Sequence, residues 1–420
     1  VAAIDESNQV HVWSLAPSSV PTQSFSGPEW PLFAWDASGT RLYGRGQIWD
    51  LDGPPSAEPL VLTGPKGSSV GFRRGFQPGG RWVAAAAEDK VLFWPLPRQT
   101  TQVLSERAGP IAFLADASGL VSYGESGLLL WPLSARTGET TTPLWQRPDG
   151  INAIAVDPLG RHVLVSHMDE EVVGRVSMVP ISGGQTETTL LWRLYDAFAF
   201  PVAYSQDGRR CAAGTHFVQS DDAAQIRVWD LDDGREWVFS LRDRPAGTDV
   251  YYRAVYQLRF TPGGRLLSAG SGGVRRWDLN TGEGEWIFRV PEETVMFISC
   301  SRNGRFLLTL EKPSPTSDQG SNLTLHDLES GTSRLITSHG HPIDRHALDP
   351  SGTAIATATS DGVIRVGPLD DSVPHLVFGH EGRIGRFHFS PDSRWIASSS
   401  EDGPIRLWPM PDLSKPPLHT

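Results

Sequence analysis

Phe389-Ser390-Pro391-Asp392-Ser393-Arg394-Trp395-Ile396-Ala397-Ser398-Ser399-Ser400-Glu401-Asp402-Gly403-Pro404-Ile405-Arg406-Leu407-Trp408 reads as a strand end, a tight turn, a strand of small residues, a second turn and an alternating strand that ends in tryptophan. Pro391-Asp392 presets the first turn between antiparallel strands. Both halves of this phrase recur along the chain. Trp-ended strands close at Trp13, Trp49, Trp94, Trp131, Trp229, Trp277 and Trp408, and three further copies carry Val179, His326 or Gly367 at the Trp position. These ten positions are separated by 36 to 50 residues. The turn phrase runs in phase with them, as in Phe76-Gln77-Pro78-Gly79-Gly80, Val156-Asp157-Pro158-Leu159-Gly160, Phe260-Thr261-Pro262-Gly263-Gly264 and Leu348-Asp349-Pro350-Ser351-Gly352, and precedes nine of the ten Trp-type strands.

After each turn comes a strand of small residues, such as Trp82-Val83-Ala84-Ala85-Ala86-Ala87, and after each Trp strand a weaker fourth one, such as Glu236-Trp237-Val238-Phe239. Four short antiparallel strands per period of about 42 residues make one propeller blade. The expected fold is therefore an all-β propeller of four-stranded antiparallel blades. The small-residue strands are expected beside the crowded central channel, where bulky side chains would collide.

Through Trp49-Asp50, Trp229-Asp230, Trp277-Asp278 and the turn Phe389-Ser390-Pro391-Asp392, the sequence resembles the WD-repeat (WD40) β-propellers over essentially its whole length. The last unit is the nearest in pattern, with Gly379-His380 at the family's Gly-His pair. The resemblance implies a buried hydrogen-bonded network linking His380, Ser398 or Ser400, Asp402 and Trp408. By the same resemblance His341 of Gly340-His341 takes the histidine place one unit earlier, where Gly367 replaces the Trp. Pro95, Pro132 and Pro409 replace the Asp after Trp, which lowers the expected stability of single blades.

Ten units are too many for one seven-bladed ring. Two arrangements stand open: residues 108–420 as a seven-bladed propeller with residues 1–107 the last blades of a preceding one, or residues 1–420 as a single nine- or ten-bladed ring. A ring must pair its ends or leave an exposed edge, and the proline-rich Lys415-Pro416-Pro417-Leu418 makes a poor outer strand. A segment distant in sequence is therefore expected to supply the closing strand. The chain opens on Val1, so its natural N-terminus is expected to have been removed or to lie upstream.

Composition narrows the function classes. The chain has 43 Gly, 33 Pro and 15 Trp but only 4 Met, which disfavours helical bundles, coiled coils and disorder. A net charge of −11 argues against a nucleic-acid partner. No apolar run reaches the ~20 residues that span a bilayer, so no membrane partner is expected. Cys211 and Cys300 show no metal spacing and read as buried thiols in a reducing, cytoplasmic compartment.

Chemistry-bearing patterns are sparse. No GxSxG elbow, phosphate-binding Gly-rich loop or dinucleotide fingerprint occurs, so catalytic residues and cofactors are expected to be none. His339-Gly340-His341 with His346 lacks the HExxH spacing and reads as structural, and Asp169-Glu170-Glu171 and Asp221-Asp222 lack the EF-hand pattern, so no metal is expected. Function is expected on loops. The hairpins at residues 167–175, 215–225 and 311–322 are enlarged, and by the family's geometry they share a face with the long 241–254 connection. Arg242, Arg244, Tyr251, Tyr252 and Arg253 on that connection, with Asp169, Asp221 and Asp222 on neighbouring units, make the expected protein-binding surface, since Tyr and Arg dominate interface hot spots. The resulting expectation is a non-enzymatic interaction, sensor or scaffold module of a larger signalling or defence protein, which binds a protein partner or its own upstream domains. An accessory or catalytic role at the channel mouth is the alternative.

Overall fold

The computed structural model describes residues 102–124, 126–133, 141–146, 150–168, 173–181, 188–194, 197–218, 224–241, 254–312, 321–340, 342–359, 362–377, 380, 383–400 and 403–414 and, before these, ten short strands. Among those ten, β1 (Ala2–Ile4), β2 (Gln9–Val12) and β3 (Gln23–Ser26) form one sheet. A second sheet holds β4 (Phe33–Trp35), β5 (Arg41–Gly44), β6 (Gln47–Asp50) and β7 (Leu60–Val61), and a third holds β8 (Arg74–Phe76), β9 (Trp82–Ala87) and β10 (Lys90–Pro95).

From residue 102 onward every described sheet is a meander of antiparallel strands. β11 (Gln102–Phe113), β12 (Gly119–Gly124), β13 (Gly127–Pro132) and β14 (Thr142–Trp145) pair in that order. β15 (Ile151–Val156), β16 (His162–Met168), β17 (Gly174–Pro180) and β18 (Thr189–Leu194) make the next blade, and β19 (Ala197–Tyr204), β20 (Arg210–Val218), β21 (Ala224–Asp230) and β22 (Glu236–Leu241) the one after. β23 (Val255–Phe260), β24 (Leu266–Trp277), β25 (Gly284–Cys300), β26 (Phe306–Lys312), β27 (Asn322–Asp327) and β28 (Thr332–Leu335) form a continuous sheet. β29 (Ile343–Leu348), β30 (Ala354–Thr359), β31 (Ile364–Pro368) and β32 (His375–Val377) form another, and β33 (Ile384–Phe389), β34 (Trp395–Ser400) and β35 (Gly403–Pro409) come last.

The six-stranded sheet is two blades joined through long strands. β24 folds back at Gly272 and Gly273, since Trp277 Nε1 reaches Ser268 Oγ at 2.9 Å whereas nine residues of straight strand would span ~30 Å. Gly273 has φ +132°, and a Cβ there would stand 2.0 Å from the Phe288 carbonyl oxygen, so only glycine fits this turn. β25 pairs with β24 through residues 284–290 as an outer strand, then with β26 through residues 294–300 as a first strand.

β11 has the same double use and closes the array. Its residues Gln102, Val103, Leu104 and Arg107 pair with Leu407, Arg406, Ile405 and Pro404 of β35, while Ile111 to Phe113 pair with β12. The outer strand of the last blade thus comes from about 300 residues earlier in the chain. The first strands β11, β15, β19, β23, β25, β29 and β33 each touch the next, and β33 touches β11.

The core lies between blades. Ala212, Ile226 and Phe239 of one blade pack on Leu258, Leu266 and Trp277 of its neighbour, and Ile111, Phe113 and Leu120 pack on Ala397, Ile405 and Leu407 across the closure. Each fully buried Leu or Ile contributes about 1.5–3 kcal/mol by leaving water. This sandwiching explains the small-residue strands differently from the expectation drawn from sequence. All six residues of β30 are buried, yet they are second strands held between neighbouring blades, and the channel is lined by the bulkier first strands.

Candidate functional site

In the last blade Trp408 Nε1 donates to Ser398 Oγ at 2.8 Å, and His380 Nε2 lies 2.7 Å from the same oxygen. An indole can only donate, so Ser398 accepts from it and keeps its own proton for His380 Nε2. Burial holds the His380 imidazole neutral, with its pKa down to about 3. Ser398, one of the two serine candidates, joins this pair; Asp402 lies outside the described residues.

The same two positions carry different chemistry in other blades. Ser122 accepts from Trp131 at 2.8 Å and Ser268 from Trp277 at 2.9 Å. Where the tryptophan is replaced by His326, its Nε2 lies 2.8 Å from Thr309 Oγ1, at the matching register. Trp229 instead faces Cys211, with Ala213 at the polar position, in an apolar cluster that pushes the Cys211 thiol up to about 12. At the Gly367 unit the partner histidine is His339, whose Nδ1 lies 2.9 Å from Thr357 Oγ1; this corrects the expectation of His341, which lies outside the described residues.

Antiparallel order fixes what each edge of the ring carries. Turns joining first to second and third to fourth strands lie on one face; second-to-third hairpins and blade-to-blade connections lie on the other. The enlarged hairpins join β16 to β17, β20 to β21 and β26 to β27, and the long connection joins β22 to β23, so the strand ends that bound all four lie on the second face. The candidate residues themselves, Asp169, Asp221, Asp222, Arg242, Arg244, Tyr251, Tyr252 and Arg253, lie outside the described residues. Among described residues this face carries a bidentate ion pair between blades, Arg383 to Asp344 at 2.9 and 3.1 Å.

Sequence reading anticipated a central channel but not the residues that line it. A cavity of about 230 Å³ is lined by residues from all of the first strands β11, β15, β19, β23, β25, β29 and β33. Arg259, Arg345, Arg386, His346 and His388 face it, with Phe297, Phe387 and Phe389 among its apolar walls. A bulge near the start of β23, β29 and β33, and between Val295 and Phe297 in β25, sets the alternation by which Gln257, Phe297, Arg345 and Arg386 occupy matching positions. His346 donates from Nε2 to the Phe297 carbonyl at 3.2 Å and accepts at Nδ1 from Ser299 Oγ at 3.1 Å. Burial lowers the His346 and His388 pKa values to about 4 and about 3 and pushes the Cys300 thiol up to about 12. The only sequence signal for this site was the pair of arginines at equivalent points of the turn-linked strands, which composition does not separate from surface arginine.

Residues 372–409, which include His380, Ser398 and Trp408, match the family model described as WD domain, G-beta repeat. The chain carries a WD40 repeat at residues 372–409. A stretch of 162 residues, 38% of the chain, is 26% identical to WD repeat-containing protein SL1-17 of Schistosoma mansoni, and it spans 49% of that relative, about half its length. WD40 repeats generally mediate protein–protein interaction or scaffolding. In the blades of this chain the Asp of the Trp-Asp pair has a visible task. Asp230 accepts from the Asp232 and Asp233 amides at 3.1 and 3.4 Å, capping the third-to-fourth-strand turn, and ion-pairs with Arg209 and Arg210 of the neighbouring turn. Asp327 does the same with Glu329, Ser330 and Arg305, whose guanidinium holds its carboxyl down at about 2. Pro132 and Pro409 forgo this cap.

Proposed function

We propose that the chain is a non-enzymatic scaffold or sensor module, the WD-repeat part of a larger cytoplasmic signalling or defence protein, that binds a protein partner on the face bearing the enlarged hairpins. We further propose the grouping of residues 108–420 as a seven-bladed ring and residues 1–107 as the last blades of a preceding one. The observation that supports the binding face is the strand order, by which three enlarged hairpins and the 242–253 connection leave the ring on one side. Extra loop length on one face of a repeat array is the usual mark of its binding surface. The return of β11 onto β35 supports the grouping.

The channel gives the alternative one favourable observation, a set of convergent polar side chains with shifted pKa values. Their direction speaks against catalysis. A general base works best near the operating pH, yet His346 and His388 are held neutral far below it, and the Cys300 thiol is held far from its reactive thiolate. Replacing Arg242, Arg244, Tyr251 and Tyr252 together with Ala tests the proposal, by comparing the proteins retained by the wild-type chain and by the variant at matched thermal stability. Loss of a specific partner supports the face; unchanged capture removes it.

A further inference from the structure

The turns that join first to second strands from β11 onward share one hydrogen bond, in which an amide donates to the carbonyl three residues back, as Gly208 does to Ser205 and Gly304 to Ser301. The residue after the accepting one is therefore equivalent from turn to turn. It is proline in four of them, Pro158, Pro262, Pro350 and Pro391, and Ala115 in a fifth. Proline suits the place because its ring presets φ for the second residue of such a turn. The two remaining turns forgo this and carry Gln206 and Arg302, the side chains there that can donate a hydrogen bond.

Both are used to reach other turns. Gln206 Nε2 donates to the Arg302 carbonyl at 3.1 Å, and Arg302 Nη2 donates to the Pro391 carbonyl at 3.1 Å. The Arg302 amide, which a proline would lack, donates to the Pro350 carbonyl at 2.8 Å. Gln206 and Arg302 belong to the blades begun by β19 and β25, with the β23 blade between them; Arg302 and Pro391 belong to those begun by β25 and β33, with the β29 blade between them. Bonds such as Arg161 to Gly208, Ile298 to Gln257 and Arg345 to Gly385 join neighbouring blades. A bond that skips a blade, made between innermost turns, crosses the mouth of the channel as a chord.

The cavity ends beneath these chords. Its walls include Cys300, Pro350 and Phe389 but not Gln206, Arg302 or Pro391. Neighbouring turns leave little room beside the chords, since a Cβ on Gly304 would stand 2.7 Å from Pro262 Cδ and one on Gly352 would stand 3.0 Å from Ser301 Cβ. Arg302 itself is exposed, so its bond to Pro391 competes with water and can open while the blades stay packed.

We propose that Gln206 and Arg302 form a latch that closes the channel at the turn face, making it a blind chamber that exchanges with solvent through the face bearing the enlarged hairpins. A partner bound on that hairpin face would then cover the entrance of the chamber. The latch does not depend on such a partner.

Cys300 reports on the latch because it lines the channel two residues from Arg302, while Cys211 is buried between blades and serves as an internal reference. Alkylation of the full chain by iodoacetamide, read at each cysteine by peptide mass spectrometry, is the test. Arg302→Ala is expected to speed Cys300 labelling about tenfold with Cys211 unchanged, and Gln206→Ala to speed it by a smaller factor. Arg394→Ala removes an exposed arginine of the same face and is expected to leave the Cys300 rate at the wild-type value. If Arg302→Ala fails to fold, as read by circular dichroism, Gln206→Ala carries the comparison. An unchanged Cys300 rate in the folded latch variant, or a rise matched at Cys211 or in Arg394→Ala, overturns the proposal.

Discussion

His339 Nδ1 and Thr357 Oγ1 lie 2.9 Å apart in a blade whose third network member is a glycine, so the histidine occupies the space that an indole fills elsewhere. A Cβ on Gly367 would stand 3.0 Å from His339 Nε2 and 3.1 Å from Pro374 Cβ. Restoring the repeat consensus here is therefore harmful. Gly367→Trp is expected to destabilise the chain by about 1–3 kcal/mol through overpacking, and a denaturation midpoint at or above wild type contradicts this reading.

Ser398 serves two buried partners at once. Ser398→Ala leaves both the Trp408 indole N–H and the His380 ring without that oxygen, at a cost of about 1–3 kcal/mol for each stranded group. Cys211→Ser, where Trp229 packs in an apolar setting, is the informative contrast, since the new hydroxyl lies opposite the ring and not at the accepting position. Urea denaturation of Ser398→Ala checks the size of the effect; a loss below about 0.5 kcal/mol would contradict the network's structural role.

Four buried histidines and the half-buried His388 make the fold acid-sensitive. Burial depresses His326, His339 and His346 to about 4 and His380 and His388 to about 3, against 6.5 for the free side chain. Folded pKa values below the unfolded one mean that the unfolded chain binds more protons, so this stability is complete above pH 6.5 and is lost as pH falls toward 4 and 3. Each group contributes up to about 1.4 kcal/mol per pH unit within that window. Denaturation midpoints that fall steeply from pH 6.5 to 4.5 are expected; a flat profile contradicts the burial.

Glu311 works in the opposite sense. It is buried, accepts from the Thr309 and Thr324 hydroxyls, and has its pKa raised to about 7, by burial first and then by the nearby Glu293. Thr309 in turn is bonded to His326 at 2.8 Å, and Ser333 lies 2.7 Å from the other ring nitrogen of that histidine, so the carboxyl ends a continuous hydrogen-bonded chain. The folded state holds the Glu311 proton that the unfolded state releases, so stability falls as pH rises from 4.5 through 7. Glu311→Gln should gain on wild type between pH 5 and pH 8 by on the order of 3 kcal/mol, and a constant difference between the two across that range is the contrary result.

The fold was legible because Trp strands and Pro/Asp/Gly turns are local signals repeated in phase. Trp408 and His380 could be placed in one network by resemblance, while the choice between Ser398 and Ser400 waited on the register, which sets Ser398 two residues beyond Ile396, the partner of Trp408. His339 could not be, since Gly340-His341 offers two histidines on either side of one glycine and only the path of the chain into β29 decides between them. The channel arginines were invisible for a related reason: Arg259, Arg345 and Arg386 are 86 and 41 residues apart, and only closure of the ring brings them to one cavity. The small-residue strands were read as channel walls because crowding was the right inference, but the crowding comes from neighbouring blades packed on both sides.

Closure itself is the claim on which the ring, its channel and the proposed binding face depend. Leu104 of β11 is the register partner of Ile405 of β35, so their Cα atoms sit within the range a disulfide can bridge. Leu104→Cys with Ile405→Cys in the full chain, with Cys211 and Cys300 replaced by Ala, measures it by the fraction cross-linked under mild oxidation. The account predicts near-complete intramolecular cross-linking and a raised unfolding midpoint. No cross-link in a folded chain, together with efficient cross-linking of β35 to a cysteine placed within residues 411–420, would contradict it.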